Sequence, residues 1–230
     1  MVHSAIDIIL LSYTKSSKEY EMTKDCIFSL HNNLNVKAHI TLVETNPQIR
    51  HGTYDVENFI TPCQDFNYNK FLNIGLKFAT HEKVLISNND IHYKSNCLQT
   101  LAEKLEIYSS VSPLDLASQS DLMNKDDIVG YEIGKLLTGW SIMFNRSILD
   151  QIGMFDERFN FWYQDNDYSN WLQKCNLKHA LIPSAHIIHA GQQSLQLLTS
   201  EEIYQQTHGL SKIFEDKWKN WDKVERIQNI

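Results

Sequence analysis

Lys83-Val84-Leu85-Ile86-Ser87-Asn88-Asn89-Asp90-Ile91-His92-Tyr93 is an apolar run that breaks into an oxygen-rich turn and then resumes alternation. Val84, Leu85 and Ile86 are uninterrupted by polar residues, the pattern of a strand covered on both faces. In open α/β sheets ligands lie outside the carboxyl ends of the strands. A turn of Ser87, Asn88, Asn89 and Asp90 at such an end therefore suits a hard cation and a phosphate. Asn and Asp are equally the residues of a turn that only ends a strand, and this stretch alone does not choose between the two.

The flanks alternate strand and helix. On the N-terminal side, Ile6 to Leu11 is a buried strand running into a polar loop, Ser12 to Ser17. Glu19 to Leu30 carries Met22, Cys26, Ile27 and Leu30 at helical spacing. His39 to Val43 is the next strand and closes on Glu44. Asn58 to Thr61 is a short strand, and Asn67 to Ala79 a helix turning Phe71, Leu72, Leu76 and Ala79 inward. On the C-terminal side, Asn96 to Ile107 is amphipathic, and a strand is expected near Leu116-Ala117. Gln119 to Glu132 is expected to be mobile or to face an acceptor. A strand at Leu136 to Phe144 and a short helix from Arg146 to Ile152, closed by Gly153, come next. The aromatic loop Phe161-Trp162-Tyr163 leads into a helix opening with Gln164, Asp165, Asn166 and Asp167. Short strands at Ala180 to Pro183 and His186 to His189 precede a helical tail. The pattern predicts an α/β fold with a mostly parallel central sheet flanked by helices.

Composition narrows the classes. The chain has 230 residues, 42% hydrophobic and 21% charged, and a formal charge of −7. It has enough apolar material for one large core, and no basic block for wrapping nucleic acid. Cys26, Cys63, Cys97 and Cys175 form no C-x-x-C pair, so buried free thiols in a reducing compartment are expected. No apolar run reaches the ~20 residues that span a bilayer, and no secretory leader is recognisable. A cytoplasmic protein is expected, with contact at a membrane surface left open. No G-x-G-x-x-G or Walker sequence follows the first strand.

Four features now stand in order: a polar loop after the first strand, an acid after the second, Asn88-x-Asp90 after a central strand, and Asp165-x-Asp167 followed by His189. With Asn73-x-Gly75, the block from Thr138 to Leu172 and His189-x-Gly191 with Ser194 beyond it, the chain resembles the GT-A fold glycosyltransferases, most closely their inverting family 2. The resemblance covers most of residues 5 to 195. It implies a Rossmann-like single domain: 1–93 as the nucleotide-sugar-binding half, 94–198 as the acceptor and catalytic half, and 199–230 as a helical tail. It implies Asp90 and His189 as ligands of Mn²⁺ or Mg²⁺, and Asp165 as the base that takes the proton of an acceptor hydroxyl. Asp167 matches the second acid of that motif and is expected to orient the loop or contact the acceptor. Nucleotide-sugar contacts are expected from Ser12, Tyr13, Thr14, Glu44, Lys70, Asn73, Asn88, Asn89, Gly139 and Trp140. The donor would be a nucleoside diphosphate sugar, a UDP-sugar favoured. A glycan, a glycolipid, a protein or a modified nucleobase would be the acceptor. Asn88 stands where the family's first Asp is usual, and Gln164 where Glu is usual.

Plainer readings stand beside these. Asp165 and Asp167 are also what a helix dipole attracts to a first turn. Trp218 and Trp221 suit packing better than a membrane anchor. A nucleotidyltransferase is the nearest rival, but it would need a glycine-rich loop where Ser12 to Lys18 has no glycine. A sugar- or nucleotide-binding module without catalysis is the other alternative.

Overall fold

Side-chain alternation along the first strand, β1 (Ser4–Ser12), sets the layers. Ile6, Ile8 and Leu10 enter one apolar cluster and Ile9 and Leu11 another. The computed structural model describes residues 4–191 and 200–226. After β1 the chain forms α1 (Ser17–His31), β2 (Val36–Glu44), β3 (Asn58–Ile60), α2 (Tyr68–Leu76), β4 (Lys83–Asn88) and β5 (Ile91–Tyr93). It continues through α3 (Cys97–Lys104), β6 (Ser110–Asp115), β7 (Ile128–Val129), β8 (Ser141–Asn145), α4 (Leu149–Ile152) and α5 (Gln164–Lys174). β9 (His179–His189) and α6 (Ser200–Trp218) complete the order.

One nine-stranded sheet runs β3-β2-β1-β4-β8-β6-β9-β5, with β7 paired to β9. β1 is parallel to β2 and β4, β2 to β3, and β6 to β9. β8 enters antiparallel between β4 and β6, and β5 and β7 lie antiparallel on β9. α1 and α3 bury Cys26, Ile27, Leu30, Leu98 and Leu101 on one face; α2 and α5 bury Phe71, Leu72, Leu76, Trp171 and Leu172 on the other. The close fit of α2 on β1 depends on Gly75, because a Cβ there would collide with Ile9 Cγ2. Among the described residues no helix is long and apolar enough to cross a membrane.

Register places the polar strand ends together. Ser12 lies opposite Glu44, Leu11 opposite Asn88, Ser87 opposite Ser141 and Ile91 opposite His189. The carboxyl ends of β1, β2, β4 and β9 therefore share one edge with the start of β8.

The structure moves several expected elements. The strand expected at Leu116-Ala117 is β6, ending at Asp115. Pro113 breaks its alternation, and at Pro113/Leu114 the register with β9 jumps from Ile182 to His186. The same jump absorbs Pro183 and joins two expected strands into one β9. The strand expected from Leu136 begins only at Ser141, after a turn closed by the Ser141 N–H to Thr138 O bond. Gln119 to Glu132 is anchored instead of mobile: Gln119 is buried and bonded to Asp115 N and Lys135 O, Ile128 and Val129 pair with β9, and Asp127 meets Lys104 at 2.6 Å. Cys26 and Cys97 are buried free thiols as expected, but Cys63 is exposed.

Candidate active site

β4 stops at Asn88, and the Asn89-Asp90 turn sends β5 to pair with the end of β9. That pairing sets Asp90 beside His189: Ala190 N–H donates to Asp90 O at 2.9 Å, and His189 Nε2 lies 3.3 Å from Asp90 Oδ1. The contact lacks the alignment of a hydrogen bond, so Asp90 Oδ1 is buried without a donor. Trp140 covers the imidazole, its ring stacked at 4.8 Å and 18°. Behind it, Asp115 Oδ1 accepts the His189 and Ala117 N–H groups at 3.1 Å each, and Oδ2 accepts the Ser118 hydroxyl at 2.6 Å. An orphaned carboxylate oxygen facing an imidazole nitrogen fits a divalent cation. Among the described residues no cluster of three His, Cys, Asp or Glu side chains can hold a metal. Asp90 and His189 would therefore supply only part of a shell that phosphate oxygens and water complete.

The facing wall is the start of α5. Asp165 sits in its first turn, accepts the Asn166 N–H at 2.9 Å, and has its pKa raised by burial. Gly139 lies against this carboxylate: a Cβ there would meet Asp165 Oδ2 at 2.9 Å. Tyr163, just before the helix, has φ 66°, a left-handed conformation that costs a bulky residue energy. Its ring is held against Phe214 of α6 at 5.3 Å.

Tyr68, in the first turn of α2, joins the two walls. Its hydroxyl donates to Asn88 Oδ1 at 3.1 Å. Burial first, and then the charges of Asp165 and Asp90, push the phenol pKa up. Sequence reasoning missed Tyr68, although the Asn67 cap, which accepts the Lys70 N–H at 2.9 Å, marks that helix start.

The residues expected around the nucleotide divide. Glu44 is fully buried and accepts from Thr14 N, Thr14 Oγ1 and Asn46 N at 3.1, 2.7 and 2.8 Å. Thr14 also bonds Tyr54, and Asn89 donates to Ser12 and Thr23. Ser12, Thr14, Glu44 and Asn89 thus form an internally satisfied network that shapes the loop after β1. The side-chain hydrogen bonds of these four residues, all expected around the nucleotide, are made to one another and to residues neighbouring that loop. Tyr13 is the exception: it is 47% exposed, with Lys15 Nζ 4.1 Å from its ring centroid. Lys70 shares the first turn of α2 with Tyr68, and its ammonium meets no carboxylate among the described residues.

Two further expected site residues, Asn73 and Asp167, are engaged by distant parts of the chain. Asn73 is a clamp, donating to Phe155 O and Glu157 Oε1 and accepting from Phe155 N, so both ends of its amide are engaged. Asp167 faces α6 and not the cleft, because two residues of helix turn it away from Asp165. It meets Lys217 Nζ at 2.7 Å and accepts the Trp218 indole N–H at 2.9 Å. Lys217 also bonds Asp156 at 2.8 Å. Burial raises the Asp156 pKa, but the hydrogen bonds from Arg158 and Lys217 outweigh it and hold the group down to about 2. Gly191 closes the described stretch and Ser194 lies outside the described residues. A separate cleft of about 1150 Å³, lined by Lys77, Glu82, Arg146, Asp150 and Arg158 among others, includes neither Asp90 nor Asp165.

No family model and no curated protein matches the sequence. Solved structures do. A mannosyltransferase from Pyrobaculum calidifontis, in complex with GDP-Man and Mn²⁺, is similar over 90% of this chain and 64% of that one (TM-score 0.62, 13% identity). GalNAc-T7 with UDP, GalNAc and Mn²⁺ is similar over 95% of this chain and 50% of that one (TM-score 0.66, 10% identity). S. aureus TarS is similar over 92% and 40% (TM-score 0.59, 11% identity). The chain thus spans between 40% and 64% of the length of these structures. At such identities the likeness is one of fold, and the fold is that of the GT-A glycosyltransferases.

Proposed function

We propose that this chain is an inverting, metal-dependent glycosyltransferase, moving a sugar from a nucleoside diphosphate sugar, a UDP-sugar favoured, to an acceptor hydroxyl. The observation that carries the proposal is that one pair of adjacent residues touches both walls of the cleft. Gly139 abuts the Asp165 carboxylate and Trp140 stacks on His189. Two consecutive residues thereby link a candidate base to a candidate cation pair.

The chemistry follows from what each side chain can do. Asp165 takes the proton of the acceptor hydroxyl while that oxygen forms its bond to the anomeric carbon. The bond from that carbon to the diphosphate breaks, and its electron pair leaves with the phosphate oxygen. A carboxylate made more basic by burial suits the first task. Asp90 and His189 would hold Mn²⁺ or Mg²⁺, which supplies positive charge to the leaving diphosphate. The imidazole favours Mn²⁺. The complexes named for two structural neighbours, GDP-Man with Mn²⁺ and UDP with Mn²⁺, accord with such a donor.

The test is nucleoside diphosphate release from UDP-, GDP-, CDP- and dTDP-sugars with Mn²⁺, across glycan, glycolipid, protein and hydroxylated-nucleobase acceptors. Turnover should stop with EDTA and with Asp165→Asn, and the product should have the opposite anomeric configuration to the donor. Unchanged turnover in Asp165→Asn sinks the base assignment, and a retained anomer sinks inversion.

A further inference from the structure

We infer that α6 positions the candidate base: Phe214 holds Tyr163 in its left-handed backbone conformation, and that conformation closes the helical turn in which Asp165 stands. Calling Asp165 the base rests on the proposed function; the hold of α6 on the helix that carries it does not.

One face of α6 grips the chain on both sides of Asp165. Phe214, Lys217 and Trp218 stand three and four residues apart and so share that face. Before Asp165 they reach Asp156, Phe159 and Tyr163. Lys217 Nζ is 2.8 Å from Asp156 Oδ2, and the Phe214 ring lies 6.2 Å from that of Phe159 and 5.3 Å from that of Tyr163, tilted by 30° to the latter. After Asp165 they reach Asp167 and Trp171. Asp165 lies between these anchors and faces Gly139 instead.

The anchor at Tyr163 differs from the others because it opposes a backbone cost. Its φ is 66°, where a side chain crowds the following carbonyl, and a residue other than glycine stays there only if its surroundings enforce it. Tyr163 is the N-cap of α5 and gives that helix no side-chain bond. What it supplies is its carbonyl, which accepts the Asp167 N–H at 2.9 Å and so closes the turn over Asp165. Without the Phe214 ring, Tyr163 gains by returning to negative φ. Its carbonyl then swings off Asp167, the turn frays, and the Asp165 carboxylate is no longer held against Gly139. A glycine at 163 has no such drive, because it occupies positive φ without steric cost.

Hydrogen exchange and kinetics read the two halves separately. In Phe214→Ala the Asp167 amide should exchange about tenfold faster than in the parent, with the amides of β4 as the reference for global opening. Adding Tyr163→Gly should restore most of that protection. Turnover at saturating donor should fall about ten- to a hundredfold in Phe214→Ala and in Tyr163→Ala, with donor KM little changed. Tyr163→Gly, alone or combined with Phe214→Ala, should lose much less. A glycine that outperforms alanine at this position is the mark of a backbone role, since a ring that touched substrate would be missed equally in both. Tyr163→Gly as impaired as Tyr163→Ala therefore overturns the inference. This comparison leaves α6 intact and decides the matter even where Phe214→Ala does not fold. Parent-like exchange of the Asp167 amide in Tyr163→Ala overturns the hold of α6 whatever the kinetics show. A parent protein that transfers no sugar overturns the proposed function and the base assignment, while the exchange rates still decide the hold of α6.

Discussion

Gly139 leaves no room for a side chain beside Asp165: a methyl group on Gly139 would stand 2.9 Å from Asp165 Oδ2 and 3.0 Å from its Cβ. Either the carboxylate or the turn before β8 must then move. Displacing a catalytic group by ~1 Å costs about a hundredfold in rate. Gly139→Ala should therefore lower kcat by about that factor while leaving donor KM within a fewfold of the parent. Steady-state kinetics decide it. An equal loss carried entirely by KM would mean that the contact positions the donor and not the base.

Asp165 should be a liability to the fold. Its folded-state pKa lies above the ordinary carboxylate value of 3.8 because burial disfavours the charge. The folded chain thus holds this proton more tightly than the unfolded chain. The associated stability is present at low pH and is lost as pH rises through the raised value. At neutral pH the charged carboxylate is a cost, and Asp165→Asn should melt higher, by about 2–4 °C for each kcal/mol recovered. Calorimetry at pH 7 and at pH 4 provides the check, with the gain expected to shrink at the lower pH.

Part of the candidate site was legible because strand ends can be read from alternation, and ligands gather at strand ends. Asp90 was singled out by that rule and His189 by the family resemblance, and the pairing of Ile91 with His189 brings the two side by side. Asp115 obeys the same rule and was missed only because Pro113 disguised the end of β6. What alternation cannot reveal is whether a polar side chain is already occupied by a distant partner. Asn73 is taken up by Phe155, 82 residues on, and Asp167 by Lys217, 50 residues on. Glu44 is enclosed by Thr14 and Asn46. Sequence spacing holds no trace of these contacts.

Asp115 should matter to metal binding without touching the metal. It fixes the backbone at His189 through the 3.1 Å bond to that N–H. Loss of the groups that orient a ligand typically weakens metal affinity about 10–100-fold. Asp115→Ala is expected to reduce Mn²⁺ affinity within that range, and His189→Ala by at least as much. Both would be measured by electron paramagnetic resonance without nucleotide. Unaltered Mn²⁺ binding in His189→Ala would remove the imidazole from the site.

His179 offers a pH test remote from the cleft. It is fully buried, with Nδ1 2.9 Å from Ser110 Oγ and Nε2 3.2 Å from Leu136 O. Burial lowers its pKa to about 4. The unfolded chain takes up this proton near pH 6.5 and the folded chain does not. Stability is thus fully present above pH 6.5 and falls as pH drops toward 4, by up to ~1.4 kcal/mol per pH unit. Urea titrations between pH 7 and pH 4.5 should show that decline, and the slope should be shallower by close to one proton in His179→Gln.

Lys217 ties α6 to α5, the helix that carries Asp165, and should be the most costly single residue to lose there. Its side chain is 5% exposed and its ammonium lies between Asp156 and Asp167, with Trp218 of the same helix donating to Asp167 and packing on Trp171 at 5.4 Å. Lys217→Met leaves Asp167 buried without a cation, whereas Asp156 keeps its bidentate bond to Arg158, from Nε to Oδ1 and from Nη2 to Oδ2. Breaking one side of a buried pair costs about 3–5 kcal/mol. A fall in Tm of about 10 °C is therefore expected for a chain of this size. Adding Asp167→Asn removes the stranded charge, so the double variant should recover part of the loss, and a double-mutant cycle measures that coupling. Additive effects would mean that Lys217 acts through packing on Phe159 and Trp171 and not through its charge.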